Sequence, residues 1–497
     1  MNRLFTSEAV SEGHPDKVAD QISGAILDAF LSKDRNSHVA CETMVTTGLV
    51  VLSGEIKSEV QVDVEEIVRN TISNIGYNDS KLKFDANSCG IINLLHSQST
   101  DIDRGVDKVT PSEQGAGDQG IMFGYATDEA PEYMPLAYYI ANKLMLALTY
   151  IRKETELMPY LRPDAKSQVT IEYDGEVPVG VDSILISTQH DEFATDKAML
   201  EKISLDVKEI LLPLAFSKMP CTISSLFNEN TKLYVNPTGK FVIGGPYGDT
   251  GLTGRKIIVD TYGGYCPHGG GAFSGKDPSK VDRSGAYAAR FLAKNFVANG
   301  IAKRMTIQIG YAIGMSNPVS VFVEGMGYSS GWNDDTVSDY IKQTFKLTPY
   351  EIIKNLRLRS PIYNKTAAYG HFGHKSFDCN GVLYYPWEFV DKLNNLKNIK
   401  MSRGKHFTEK ELEFIRVNSL VMSVSEIAKR LGRNYWSIHR ILAGKGISRK
   451  HVFTPTDDFM IKKMYKVYNV KVIATKIGVD ETSIYNRIKH LKKKGVL

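Results

Sequence analysis

The sequence predicts an α/β (α+β) body followed by an all-α C-terminal region, and three observations lead to this division. Helical and strand-like runs alternate up to about residue 391. The charge then changes sign: residues 400–497 contain 22 Lys and Arg against 8 Asp and Glu, whereas residues 1–399 contain 39 against 48. Beyond residue 406 the sequence repeats with an offset of 46, as in Phe407-Thr408 and Phe453-Thr454. An acidic body joined to a basic region predicts two tasks, the second involving a polyanion.

These observations set the predicted boundaries. The body spans residues 1–391, a polar and basic linker spans 392–405, and the repeat defines two modules at 406–450 and 451–497. Each module is long enough for three short helices, so the C-terminal region is predicted to be a pair of tri-helical modules. The alternative interpretation of the linker is a frayed terminal helix of the body.

Four segments of the body have a clear periodicity. Val39–Val51 and Val169–Ile186 are rich in Val, Ile and Thr and predict strands. Asp16–Leu31 and Pro135–Ile151 repeat apolar residues at helical spacing, and the proline suits a first helical turn. The body therefore reads as mixed α and β, with no convincing internal repeat.

The composition excludes several classes of protein. A hydrophobic fraction of 42% and a charged fraction of 24% are typical of globular proteins and argue against wholesale disorder. No run approaches the ~18 continuous apolar residues of a membrane span. The N-terminus turns polar before a signal-peptide core could form, and the five cysteines are too widely spaced for a compact disulfide framework. We expect a cytoplasmic protein without a membrane partner.

Gly13-His14-Pro15-Asp16-Lys17 opens the first predicted helix. Free N–H groups at a helix start stabilise anionic oxygens. His14 can donate a proton or a hydrogen bond to a developing anion, and Asp16 offers a hard oxygen ligand to Mg²⁺. The alternative is a capping turn with an incidental histidine.

Two further segments combine glycine with charge. Gly115–Gly120 contains three glycines and a carboxylate, and Gly269–Asp277 leads to Lys280 and Asp282. Glycines let the backbone approach a ligand, and lysines beside aspartates suit a polyphosphate with its metal ions. The second segment is not the common phosphate loop, because an aspartate follows Lys276 where that motif has Ser or Thr. A tight turn and a flexible surface loop are the alternatives.

Arg162–Lys166 and Asp249–Lys256 add further charge close to turns. The resulting set pairs cations with carboxylates: Lys166, Arg255, Lys256, Lys276 and Lys280 with Asp16, Asp118, Asp249 and Asp282. This set predicts a Mg²⁺-dependent enzyme that acts on a nucleoside triphosphate. It leaves the second substrate open.

Together these motifs resemble S-adenosylmethionine synthetase, also called methionine adenosyltransferase. The resemblance extends from about Phe5 to Phe389 and includes Ala40–Thr43, Phe84–Cys89, Asn236–Gly239 and Thr366–Gly373. It implies three similar α/β domains around a pseudo-threefold axis, in a homodimer or homotetramer whose active sites lie at a subunit interface. The implied reaction forms S-adenosylmethionine, phosphate and pyrophosphate from ATP, L-methionine and water. Two Mg²⁺ and one K⁺ are implied for each active site.

The resemblance also implies roles for individual residues. The catalytic set is His14, Lys166, Arg255 and Lys276. ATP contacts are His14, Asp164, Lys166, Lys240, Phe241, Asp249, Arg255, Lys256, Ala272 and Lys276. Methionine contacts are Glu55, Gln98, Asp118, Asp249 and Lys280; Asp16 and Asp282 match Mg²⁺ ligands, and Glu42 matches the K⁺ ligand.

The resemblance further implies a lid at Gln98–Lys108, of the kind that excludes water from a site. Within the body, three departures from the family pattern stand out. Lys240 replaces an expected Arg, Thr100 replaces an expected Pro in the lid, and the region from 190 to 230 is longer than in compact members. The basic C-terminal region is the largest departure.

The C-terminal modules resemble helix-turn-helix or Myb-like DNA-binding repeats. Two basic helices with a surplus of cations suit phosphate contacts and reading of the major groove. The candidate DNA contacts are Arg433, Asn434, Arg440, Asn486 and Arg487. The alternative is an appendage that binds another protein or aids solubility.

Two functional hypotheses follow. The first is a working synthetase with a DNA-binding appendage. The second is a nucleic-acid-binding regulator whose body senses ATP or methionine without turnover. The complete set of candidate residues from His14 to Asp282 favours the first, because a sensor does not require metal ligands and leaving-group contacts together.

Overall fold

The computed structural model describes residues 2–97 and 115–391. It also describes parts of the C-terminal region, namely residues 409–418, 422, 424–431, 458, 461–462, 465, 470–477 and 481–493. The chain divides into two compact units, residues 1–401 and 402–497. The predicted linker and the predicted lid lie outside the described residues.

The body contains thirteen strands and ten α-helices among its described residues. The strands are β1 Asn2–Val10, β2 His38–Thr46, β3 Leu49–Lys57, β4 Gly90–Ser97, β5 Gly120–Thr127, β6 Leu161–Asp174, β7 Val177–His190, β8 Lys232–Val235, β9 Gly251–Leu252, β10 Arg304–Tyr311, β11 Ser320–Met326, β12 Phe377–Cys379 and β13 Val382–Tyr384. The helices are α1 Pro15–Lys33, α2 Val64–Ile75, α3 Leu136–Glu154, α4 Asp196–Asp206, α5 Leu212–Phe216, α6 Cys221–Ser224, α7 Ile257–Asp260, α8 Val281–Ala298, α9 Asp334–Thr344 and α10 Pro349–Asn355.

Three sheets of the body share one plan. Their strand orders are β9-β2-β3-β4, β1-β6-β7-β8 and β5-β10-β11. In each sheet an antiparallel hairpin lies beside a strand from a distant part of the chain. A parallel strand completes the first two sheets.

One long helix packs on each of these sheets. Helix α1 contacts β2 and β9, α3 contacts β6 and β1, and α8 contacts β5 and β10. A strand, a long helix and a hairpin therefore follow one another three times along the chain. The first strand of each unit pairs with the hairpin of another unit, so the three units are interlocked into one body.

The periodic segments of the body agree with these elements. Asp16–Leu31 and Pro135–Ile151 are confirmed as helices α1 and α3, although Pro135 is the cap of α3 and not its first residue. Val39–Val51 and Val169–Ile186 have the predicted strand character, but each also contains a hairpin turn.

A buried ion network closes the C-terminal end of the body. The carboxylate of Glu388 accepts hydrogen bonds from Arg290 at 3.0 Å and from Lys294 at 2.6 Å. All three side chains are buried. Burial raises the pKa of Glu388, but the two cations outweigh it and hold that pKa below its ordinary value.

The described part of the C-terminal region is helical. Helices α11 Glu409–Asn418 and α12 Val424–Leu431 bury Ile415 and Ile427. Helices α13 Val470–Ile477 and α14 Glu481–Lys493 form a second small apolar cluster with Ile461. Arg433, Asn434 and Arg440 lie outside the described residues, so the tri-helical form of the modules stays a prediction. In the parts of the chain described above, no helix is long and apolar enough to cross a membrane.

Candidate active site

His14 is the N-terminal cap of helix α1 and is only 2% exposed. The backbone N–H of Asp16 donates to its Nδ1 at 3.1 Å. Burial, followed by the positive charges of Lys256 and Lys166, lowers the pKa of His14 from 6.5 to about 2. The imidazole is therefore neutral and, since Nδ1 accepts, its proton is on Nε2. His14 is arranged to donate a hydrogen bond from Nε2.

Asp16 joins the start of α1 to the turn that follows β9. Its Oδ1 accepts the N–H of Leu252 at 3.0 Å. Arg255 Nε lies 3.8 Å from Oδ1, and Lys256 Nζ lies 3.5 Å from Oδ2. The fold thus brings Asp16, Arg255 and Lys256 together beside the His14 cap. In the sequence, the two basic residues lie at least 239 positions after Asp16.

Asp164 and Lys166 lie on β6, close to the same cap. Asp164 is buried, and its Oδ2 accepts the N–H of Gly245 at 2.9 Å. Its Oδ1 is buried without a hydrogen-bond partner in the described structure. Burial raises the pKa of Asp164 to about 6, against the lowering influence of Lys166. An unmatched buried carboxylate oxygen suits a ligand hydroxyl.

The glycine-rich segment from Gly269 forms a second part of the site. Lys276 Nζ lies 2.5 Å from Asp282 Oδ2, near the start of α8. A Cβ at Gly271 would lie 2.4 Å from Cγ of Asp282, so a larger residue at this position would displace the Asp282 side chain. A Cβ at Gly254 would lie 2.5 Å from that of Ala272. This close approach places the glycine-rich segment next to the Arg255 turn.

Lys280 has a different environment from the other predicted cations. Its Nζ donates to Asp277 Oδ2 at 2.8 Å. Asp277 is fully buried and also accepts the N–H of Val39 at 2.9 Å. Burial raises the pKa of Asp277, but Lys280 and His38 outweigh it and hold that pKa well below its ordinary value.

Several predicted contacts lie at the surface of this chain. Lys240 Nζ lies 3.0 Å from Glu192 and 3.2 Å from Asp196. Glu42 and Asp118 are exposed, and Glu55 lies 3.8 Å from His96. Phe241, whose N–H donates to His190 at 3.0 Å, and Asp249 lie in the loop before Gly251. Gln98 lies outside the described residues.

The structure also shows buried charges that the sequence did not single out. Lys17 is buried between Asp20 and Asp260, and it donates to both carboxylates. Burial lowers the pKa of Lys17, but the two carboxylates outweigh it and raise that pKa above its ordinary value. The spacing of Asp16 and Asp20, one helical turn apart, is a signal that could have identified Asp20.

In the C-terminal region, Arg487 is held by an ion pair. Its Nε donates to Asp458 Oδ1 at 2.7 Å, and its Nη2 donates to Oδ2 at 2.6 Å. The backbone of Asn486 lies on the same helix, α14. This bidentate pair joins α14 to Asp458, which lies before α13 in the sequence, and the sequence did not predict it.

A buried neutral hydrogen-bond donor, a group of cations and a glycine-rich approach define the class of protein. Such sites are typical of enzymes that bind a polyphosphate and stabilise charge on a leaving group. In the described residues, no three metal-ligating side chains come together.

Comparison with known proteins identifies the family. The N-terminal, central and C-terminal domain models of S-adenosylmethionine synthetase match residues 2–100, 113–241 and 243–388. The S-adenosylmethionine synthase of Porphyromonas gingivalis is 56% identical over 423 residues, covering 80% of this chain and 99% of that protein. That of Parabacteroides distasonis is 58% identical over 426 residues, with the same coverage. That of Azobacteroides pseudotrichonymphae is 54% identical over 419 residues, covering 84% of this chain and 98% of that protein.

The chain belongs to the S-adenosylmethionine synthetase family, whose enzymes are methionine adenosyltransferases. The three domain models confirm the three-domain α/β body that the resemblance implied. The match to the C-terminal domain model ends at residue 388, before the basic C-terminal region.

Proposed function

We propose that the body forms S-adenosylmethionine from ATP and L-methionine, and cleaves the released triphosphate to pyrophosphate and phosphate. The observation that carries this proposal is the neutral, buried His14 beside Asp16, Arg255 and Lys256 at the start of α1. The sulfur of methionine is a neutral nucleophile that needs no strong base. The difficult steps are positioning it against the 5′ carbon of ATP and stabilising a highly charged leaving group.

Each side chain of the candidate site has a defined role in this proposal. His14 donates from Nε2 to the oxygen that leaves the 5′ carbon. Lys166, Arg255 and Lys256 contact the polyphosphate from one side, and Lys276 exchanges its partner Asp282 for a phosphate oxygen. Asp164 accepts a hydroxyl of the nucleoside, with Lys240, Phe241, Asp249 and Ala272 as further ATP contacts.

The carboxylates fit the proposed metal ions. Mg²⁺ is usually bound through one or two carboxylates and completes its shell with phosphate oxygens and water. Asp16 and Asp282, which lie apart from any cluster of three ligands in the described residues, suit two such ions. Glu42 is the proposed K⁺ ligand. When bound, Mg²⁺ neutralises phosphate charge.

The proposed methionine contacts suit a site that two copies of the chain share. In the single chain Asp118 is exposed and Glu55 is half-buried, while Ile92 and Leu94 of β4 are exposed at 45% and 58%. Exposed apolar residues beside exposed site residues suit a second copy of the chain. We therefore propose that Glu55, Gln98, Asp118, Asp249 and Lys280 bind methionine in a homodimer or a homotetramer.

The test is incubation of the full chain with ATP, methionine, Mg²⁺ and K⁺ in a reducing buffer that matches the proposed cytoplasmic location. S-adenosylmethionine, pyrophosphate and phosphate should appear in equal amounts. Reactions without methionine, without Mg²⁺ or without K⁺ are the controls, and light scattering gives the oligomeric mass. Binding of ATP without any product would instead favour the regulator hypothesis.

A second proposal concerns residues 406–497, which we propose bind duplex DNA. The supporting observation is the charge of this region, 22 basic against 8 acidic residues from position 400. The proposed contacts are Arg433, Asn434, Arg440, Asn486 and Arg487, although Arg487 must then exchange or share its partner Asp458.

Comparison of the full chain with a chain ended after Asp391 tests the DNA proposal. The full chain should bind a mixed-sequence duplex at low salt, with a log–log salt slope of about −0.9 for each phosphate contact. The shortened chain should not bind the duplex but should keep the synthetase activity. Equal binding by both chains would contradict the proposal, and no binding by either would leave a protein partner as the alternative.

A further inference from the structure

Beneath the candidate active site lies a buried ion triad formed by Lys17, Asp20 and Asp260. Lys17 Nζ donates to Asp20 Oδ2 at 2.8 Å and to Asp260 Oδ1. Each of the three residues is at most 1% exposed. The triad joins helix α1 to helix α7 across 243 positions of sequence.

The triad also holds the turn that carries Arg255 and Lys256. The N–H of Gly254 donates to Asp20 Oδ1 at 2.9 Å. At the other end of the turn, the N–H of Asp260 donates to the carbonyl of Lys256 at 2.8 Å. Arg255 and Lys256 therefore lie between Gly254, which is held by Asp20, and Asp260, which is held by Lys17.

Asp20 and Asp16 act on the same turn from one face of α1. Residues four positions apart on a helix are neighbours on its surface. Asp16 accepts the N–H of Leu252, and Asp20 accepts that of Gly254. The distance between the His14 cap and the Arg255 turn is thus set by two carboxylates of one rigid helix.

We propose that Asp20 is a positioning residue for this site: with Lys17 and Asp260, it holds Arg255 and Lys256 at the correct distance from His14. This inference rests on the proposed function, because the distance matters for charge developing on the leaving triphosphate. Asp20 is buried and acts through the backbone of Gly254, while Lys17 keeps the carboxylate oriented. A displacement of about 1 Å in such a site can cost about a hundredfold in rate.

Two substitutions separate positioning from stability. Asp20→Ala removes both the Gly254 acceptor and the partner of Lys17. Asp20→Asn keeps an oxygen for Gly254 but loses the charge. The matched control is Asp28→Asn on the same helix, because Asp28 is a half-buried carboxylate that also holds backbone N–H groups, those of Tyr363 and Asn364, each at 2.8 Å.

We expect Asp20→Ala to lower kcat about a hundredfold per folded molecule, with less than about a threefold change in KM for ATP. Asp20→Asn should recover a large part of this loss. The Asp28 control should lower the unfolding temperature but leave kcat unchanged. If both Asp20 variants kept kcat within about twofold of the parent chain, the triad would be only a structural element and the proposal would be overturned.

A binding measurement distinguishes failure of this inference from failure of the proposed function. Imidotriphosphate, a non-cleavable analogue of the leaving group, can be titrated calorimetrically into each variant with Mg²⁺. Asp20→Ala should bind it about tenfold more weakly than the parent chain, and Asp28→Asn should bind it equally well. This comparison tests the position of Arg255 and Lys256 even if the parent chain forms no product, and equal affinities for all variants would refute it.

Discussion

Replacement of His14 by asparagine tests the proposed role of this residue most directly. His14 has two separable tasks: Nδ1 caps helix α1 by accepting the N–H of Asp16, and Nε2 donates to the leaving oxygen. Asparagine is among the best helix caps, so it can keep the first task. Its shorter side chain cannot donate from the position of Nε2. His14→Ala removes both tasks.

The two tasks predict different losses of activity and of stability. Loss of one donor to a developing charge costs about a hundredfold to a thousandfold in kcat, or about 2.7–4 kcal/mol. Both variants should lose this amount, with a smaller change in KM for ATP because the contact strengthens only as charge develops. Loss of the cap should cost His14→Ala about 1 kcal/mol of stability, whereas His14→Asn should remain close to the parent chain.

The assay is steady-state formation of S-adenosylmethionine, with urea unfolding of each variant measured alongside. Asp63→Ala is the matched control, because Asp63 caps helix α2 by accepting the N–H of Glu66 at 3.0 Å, outside the proposed site. It should lose about 1 kcal/mol of stability and none of its kcat. A His14→Asn variant with near-normal kcat would show that His14 is only a cap and would refute the donor assignment.

Three further predictions follow from the same contacts. Lys276→Ala should lower kcat about a hundredfold in the product assay, because Asp282 cannot replace the lost cation; unchanged kcat would remove Lys276 from the catalytic set. Glu388→Gln should lower the free energy of unfolding by about 3 kcal/mol, since it leaves the buried Arg290 without a carboxylate and Lys294 with Glu132 alone. Glu176→Gln, which removes the carboxylate that Arg3 and Arg304 contact near the surface, should lower it by less than about 1 kcal/mol; equal losses in urea titrations would contradict this. The folded pKa of His14, about 2, lies below its unfolded value of 6.5, so the unfolded state takes up the proton first and stability is lost as the pH falls below about 6.5. The stability of His14→Asn should therefore decrease less steeply between pH 6.5 and pH 5, and parallel curves would contradict a neutral buried imidazole.

Local patterns predicted the helices of the body but not its threefold plan. Helices α1 and α3 follow from apolar periodicity, because the apolar residues that repeat at helical spacing are buried in both. The three strand–helix–hairpin units were not detected as a repeat, because they share a topology and not a residue pattern. In addition, each leading strand pairs with a distant hairpin, as Ser7 does with Val169, and such pairing has no local signature.

The predictable part of the site is likewise local. Gly13–Lys17 combines a cap, a proline and charges within five residues, so its role at a helix start can be read directly. The cations at 255 and 256 can be named from their glycine turn, but their contact with Asp16 depends on the pairing of β9 with β2. The sequence alone therefore identified the residues of the candidate site, but it did not show how they are arranged in space.

The residues that fix this arrangement are the ones that sequence reasoning missed. Lys17 stood inside the first motif without a role, because its partner Asp260 is 243 positions away. Asp20 differs from an ordinary helical carboxylate only by its burial, which depends on the sheet packed against α1. A ligand contact tends to come with a recognisable local motif, since the ligand itself demands certain residue types in a short segment. A positioning contact instead joins whichever buried groups the fold brings together, so it becomes visible only when the packing of α1 against the Arg255 turn is known.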